Sequence, residues 1–127
     1  MDTVEPKIIK ANSLQETFLP EGCFLYENWG APTFGDQKVS IARARVEPGV
    51  TTKPHHLEGT QEIYLITSGK GRVAVGNLEP ADVTEGDVVV IPAGVTQQIT
   101  NIGETDLVFY CVCTPAFKQA RYHEDKP

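Results

Sequence analysis

Proline and glycine recur so often in this chain that no long regular element fits between them. Through the body of the sequence they stand at positions 20, 22, 30, 32, 35, 48, 49, 54, 59, 69, 71, 76, 80, 86, 92, 94 and 103. The intervals are rich in Val, Ile, Tyr and Phe, and short β-prone runs at ~8–12-residue spacing signal a sandwich or barrel. No window of about eleven residues free of Gly and Pro shows a clear helical period. The expected strands lie near Lys7–Ala11, Cys23–Trp29, Val39–Val46, Glu62–Ser68, Arg72–Val75, Asp87–Ile91, Gln97–Thr100 and Leu107–Cys113. Helix is expected to be confined to one turn near Ser13–Thr17 and one near Phe117–Tyr122. A length of 127 residues is one domain's worth. The reading is one domain over 1–127, with a core barrel over about 37–115, an N-terminal strand arm over 1–36 and a polar, loosely packed tail over 116–127.

The balance of charge narrows the partners. Lys and Arg number 11 against 17 Asp and Glu, a net charge of −6. An acidic chain without a basic cluster is a poor nucleic-acid binder, because that binding rests on neutralising phosphates. The same charge opposes docking on anionic membranes. No apolar run approaches the ~20 residues of a membrane-spanning helix. The opening MDTVEP has no basic stretch leading into an apolar core, so a cytoplasmic location is expected. Cys23, Cys111 and Cys113 contain no CxxC pair. They are expected to be free thiols in a reducing compartment.

Two segments carry a pattern. The first, GVTTKPHHLEGTQEIYLITSGKG, runs from Gly49 to Gly71, and the second, GDVVVIPAGVTQQITN, from Gly86 to Asn101. In the first, Gly49 is followed after five residues by His55, and Glu62 after six by Gly69. In the second, Gly86 is followed after five residues by Pro92, then by Gly94, Gln97 and Asn101. Gly69 and Gly71 bracket Lys70 at a tight turn where a positive φ is expected, and Gly94 is expected to take the left-handed position after Pro92. These segments resemble the two motifs of the cupin superfamily. The resemblance implies an all-β, cupin-like double-stranded β-helix: a jelly-roll barrel of two antiparallel sheets.

The resemblance also implies a divalent transition metal such as Fe, Mn, Ni or Zn, held by two His and one Glu from the first motif and one His from the second. Here the chain departs from the pattern. Counting forward from Gly49 gives His55, and counting back from Glu62 puts the second histidine slot at Leu57. The second-motif slot holds Gln97. The candidate metal ligands are therefore His55, Glu62 and Gln97, and the last is a weak one. An alternative register would use His56 and Glu58, but strand parity turns His56 away if His55 points in. The opposing reading is a hydrogen-bonded polar pocket of His55, Glu62 and Gln97 without metal.

Parity populates the rest of the pocket. With Glu62 inward, Tyr64 and Ile66 share its face, and Ile99 follows Gln97. Glu62 and Tyr64 are the candidate catalytic residues, as ligand or general base and as proton donor. On the last strand Leu107, Phe109, Cys111 and Cys113 share one face, with the inward face left open. Arg43 and Arg45 must point the same way, and an outward pair avoids burying two cations. Two functions stand: a small-molecule binder, with or without metal, or a metal-dependent enzyme of isomerase, dioxygenase or lyase type acting on a small carbonyl, sugar or carboxylate compound. Small cupins of this type imply a homodimer, with the apolar KIIKA segment adding to the partner's sheet.

Overall fold

The computed structural model describes residues 4–126. The strands are β1 (Thr17–Phe18), β2 (Phe24–Trp29), β3 (Ser40–Val46), β4 (His55–Leu57), β5 (Gln61–Ser68), β6 (Lys70–Val75), β7 (Ala81–Thr84), β8 (Val88–Ile91), β9 (Gln97–Asn101), β10 (Leu107–Thr114) and β11 (Tyr122–Glu124). Helix among the described residues is limited to two 3-10 turns, Ala11–Ser13 and Gln119–Arg121. One sheet runs β1-β2-β3-β10-β5-β8 and the other β11-β4-β9-β6-β7, and every strand pairing is antiparallel. The two sheets close on each other as a jelly-roll barrel.

Alternation along the strands decides what faces inward. In β5, Glu62, Tyr64 and Ile66 are buried, and in β9, Gln97, Ile99 and Asn101 are. In β10 the inward face is Leu107, Phe109, Cys111 and Cys113, all buried, which settles the open orientation of that strand. On β3 the small side chains of Ala42 and Ala44 border the interior and leave space there. Arg43 and Arg45 lie on the opposite face. Arg45 is bound to Glu16 at 2.8 Å and to Asp106 at 3.2 Å, and its guanidinium covers the Phe24 ring at 4.2 Å. The apolar core includes Val46, Ile66, Ile91, Ile99 and Leu107, each at most 2% exposed.

One buried amide fastens the two sheets. Asn101 Nδ2 donates to the Val46 and Thr105 carbonyls, both at 2.8 Å, and its Oδ1 accepts the Gly103 N–H at 2.8 Å. It thereby ties the end of β3 to the β9–β10 turn. Gly69 makes the β5–β6 turn with φ +88°, and a Cβ there would sit 2.6 Å from the Asp106 carbonyl oxygen. Gly94 is likewise left-handed at φ +80°.

Several details differ from the sequence reading. Gly71 has no positive φ; a Cβ there would meet Leu107 Cδ2 at 2.9 Å, so close packing rather than turn geometry favours glycine. The expected strand Lys7–Ala11 does not form: the segment pairs with no strand among the described residues. The helical turn expected at Ser13–Thr17 sits at Ala11–Ser13 instead. The tail is not loose: β11 pairs with β4, matching Tyr122 with Leu57, His123 with His56 and Glu124 with His55. The segment before residue 37 gives β1 and β2 to the barrel's own sheet.

Asn101→Ala leaves the buried Val46 carbonyl and the part-buried Thr105 carbonyl without their donor. The expected cost is about 2–4 kcal/mol, read as a lower urea midpoint with an unchanged slope. An unchanged midpoint would show that the amide does not fasten the sheets.

Candidate functional site

Between the sheets lies a cavity of about 470 Å³. Its walls are mostly apolar, with Ala42, Ala44, Ile99, Phe109 and Phe117 among them. Polar groups enter from several elements. β5 supplies Glu62 and Tyr64, β4 supplies His55, the β1–β2 turn supplies Glu21, β2 supplies Glu27, β3 supplies Ser40, and β11 supplies Tyr122 and Glu124.

Glu62 sits deepest. Gln97 Nε2 donates to its Oε1 at 2.7 Å, and the Cys113 thiol lies 3.6 Å from its Oε2. The Gln97 carbonyl oxygen accepts the Tyr64 hydroxyl. The chain Tyr64–Gln97–Glu62–Cys113 therefore satisfies itself inside the barrel. Burial pushes the Glu62 carboxyl above the usual carboxylate range, and the Gln97 hydrogen bond and the His55 imidazole oppose that rise. Burial also raises Tyr64 well above an ordinary phenol and raises Cys23, Cys111 and Cys113 above ordinary thiols, so these groups stay protonated at neutral pH.

His55 is 4% exposed. Its Nδ1 lies 2.8 Å from the Lys53 carbonyl, which can only accept, so Nδ1 carries the proton. Nε2 is left facing Glu21 Oε2 at 3.8 Å, too far for a hydrogen bond. Tyr122 stacks on the imidazole with ring centroids 5.0 Å apart. Burial raises the Glu21 carboxyl, and His55 opposes the rise. Leu57 is buried on the same face as His55 and lines the cavity.

The other histidine register lies outside. His56 Nδ1 meets Asp125 Oδ1 at 2.8 Å, Asp125 also accepts from Thr96, and His123 Nε2 lies 3.1 Å from Glu58. The structure thus brings Glu62, Gln97 and Tyr64 together, with His55 in the same cavity, and puts His56 and Glu58 on the outer face. Sequence reasoning missed Glu21, Glu27, Tyr122 and Glu124. None belongs to a spaced motif, and only the tertiary fold carries them to the cavity.

The barrel and its two motifs define a small cupin. Residues 42–113 match the family described as Cupin domain, and the chain belongs to that family. It is 31% identical over 121 residues to an uncharacterized protein of Methanocaldococcus jannaschii, covering 94% of this chain and 93% of that one. It is 38% identical over 72 residues to an oxalate-binding protein of Thermotoga maritima, covering 57% of this chain and 59% of that one. The crystal structure of a predicted oxalate decarboxylase from Thermotoga maritima superposes with a TM-score of 0.76 at 23% identity, covering 86% of this chain and 99% of that one. None of the described helices is long and apolar enough to cross a membrane.

A buried acid whose pKa is raised binds its proton more tightly in the folded state. It therefore costs stability as pH rises from about 4.5 through the higher folded value. Glu62 and Glu21 both act in this direction. Urea midpoints are expected to fall as pH rises above about 4.5, and Glu62→Gln is expected to flatten that fall. A parallel pH profile for Glu62→Gln would refute the assignment.

Proposed function

We propose that this cupin binds a small molecule in its central cavity, with Glu21, His55 and Glu62 as the polar end of the site. The observation that supports this reading is the closed set of hydrogen bonds around Glu62. It holds a carboxyl group in a fixed orientation against apolar walls, and the cavity beside it matches the ~300–1,000 Å³ of ligand sites. His55 and Glu62 have ligand chemistry, but the set does not fit a metal centre of the family type. Leu57 fills the second histidine slot, the Gln97 oxygen is taken by Tyr64, and no three His, Cys, Asp or Glu among the described residues converge on one point. The binding reading therefore stands ahead of the metal-dependent enzyme. Three free buried cysteines accord with a reducing, cytoplasmic setting.

The test is a thermal-shift screen of small metabolites, repeated on Ala42→Phe, which puts a ring into the cavity. At least one compound is expected to raise the wild-type midpoint by several degrees and to lose that effect in the variant. A screen in which every stabilising compound acts equally on Ala42→Phe would place binding elsewhere. Purified protein is expected to carry well under one equivalent of Fe, Mn, Ni or Zn, with His55→Ala unchanged in metal content; stoichiometric metal lost on that substitution would restore the metal reading.

The same proposal includes a homodimer. β8 is a sheet edge whose outward Val88 and Val90 are 56% and 53% exposed, and Ile8 of the unpaired N-terminal segment is 83% exposed. An apolar segment without a partner and an apolar edge without a neighbour complement each other across two copies. Deleting residues 1–11 is expected to halve the mass in sedimentation equilibrium. A truncated chain that stays dimeric would exclude this arm as the link.

A further inference from the structure

We infer that the cavity selects a compact organic cation, an ammonium group carried on an apolar body, and rejects small dicarboxylates; the inference rests on the cavity being a small-molecule site. The first ground is the charge of the walls. The ionisable side chains with acidic or imidazole chemistry that line the cavity are Glu21, Glu27, Glu62, Glu124 and His55, with no Lys or Arg. The nearby Lys53 stands at the rim, 56% exposed and 4.0 Å from Glu124. Arg43 and Arg45 are held on the outer face by Glu16 and Asp106. One imidazole cannot balance four carboxyl groups.

The second ground is unfilled bonding capacity. His55 is nine-tenths buried and its Nε2 has no hydrogen-bond partner. Glu27 accepts from Thr33 at Oε2, but its buried Oε1 has no partner, and neither does the buried Tyr122 hydroxyl. Buried polar atoms are ordinarily satisfied, and the open imidazole Nε2 is an acceptor that a ligand's N–H in the cavity would meet. Burial raises the carboxyls of Glu21, Glu27 and Glu62, and a cation beside them would offset that desolvation.

The third ground is the aromatic wall. Tyr64, Phe109, Phe117 and Tyr122 all border the space, and aromatic faces attract ammonium groups. A bare metal ion is the poorer match, because no three His, Cys, Asp or Glu among the described residues converge and most of the wall is apolar. A dicarboxylate would bring two further negative charges to a site already short of positive ones.

Calorimetry at pH 7.5 with four probes tests this: phenethylamine, phenethyl alcohol, phenylacetate and oxalate. The first three share a body and differ in charge. Phenethylamine is expected to bind about tenfold or more tightly than phenylacetate, with oxalate weaker still and the alcohol between. Glu21→Gln and Glu27→Gln are conservative changes at partly exposed positions. Each is expected to weaken phenethylamine several-fold while leaving the alcohol unchanged, and Ala42→Phe is expected to weaken both. Phenylacetate or oxalate binding as tightly as the amine would overturn the inference and leave the small-molecule reading standing. Binding of the amine that neither Gln variant weakens would also overturn it. If no probe binds, the inference falls, and the metabolite screen on Ala42→Phe decides the small-molecule reading separately.

Discussion

A carboxyl group inside an apolar barrel has to be satisfied by its neighbours, and much of the site follows from how Glu62 meets that demand. Gln97 suits the position because its amide donates and accepts at once. One end gives a hydrogen to Glu62 and the other takes one from Tyr64. Cys113, two places along β10 from Cys111, offers a thiol to the second carboxylate oxygen. Neutral donors can orient a carboxyl without cancelling its charge. The interior is therefore fixed in shape, with four carboxyl groups, one imidazole and no Lys or Arg along the cavity.

The opposite choice was made on the outer face of the same sheet. There Arg43 and Arg45 rest on Tyr26 and Phe24 and meet the carboxylates of Glu16 and Asp106. Alternation along β3 separates the two regimes by a single residue. Alanines inward make room, and arginines outward keep every fixed positive charge of that strand away from the space they open. A register slip of one residue would exchange the two faces and abolish the cavity.

How much could be read beforehand depended on whether a residue's place was set by spacing or by long-range folding. The dense Gly and Pro punctuation and the two spaced motifs carried the barrel. Parity along β5 and β9 carried the grouping of Glu62, Tyr64, Gln97 and Ile99, because a strand's faces alternate whatever lies around it. Parity also grouped Cys111 with Cys113, but it could not say which face of β10 was inward; that depends on which sheet lies across from it. Glu21 was illegible because it sits at a turn outside any repeating pattern. Strands β4, β7 and β11 have three or four residues each, too few for a period to register. The KIIKA segment shows the reverse failure, since its apolar composition suggests a strand although the described residues form none there.

β11 contributes Tyr122 and Glu124 to the cavity wall, yet only three residue pairs join it to β4. Besides the Tyr122 stack on His55, its side-chain anchors include His56–Asp125, Thr96–Asp125 and His123–Glu58, which lie outside the apolar core. A segment held in this way can detach at a free energy far below that of global unfolding, while the other strands stay paired. Opening of β11 alone would take Tyr122 and Glu124 out of the cavity wall and leave the other strand pairings of the barrel in place.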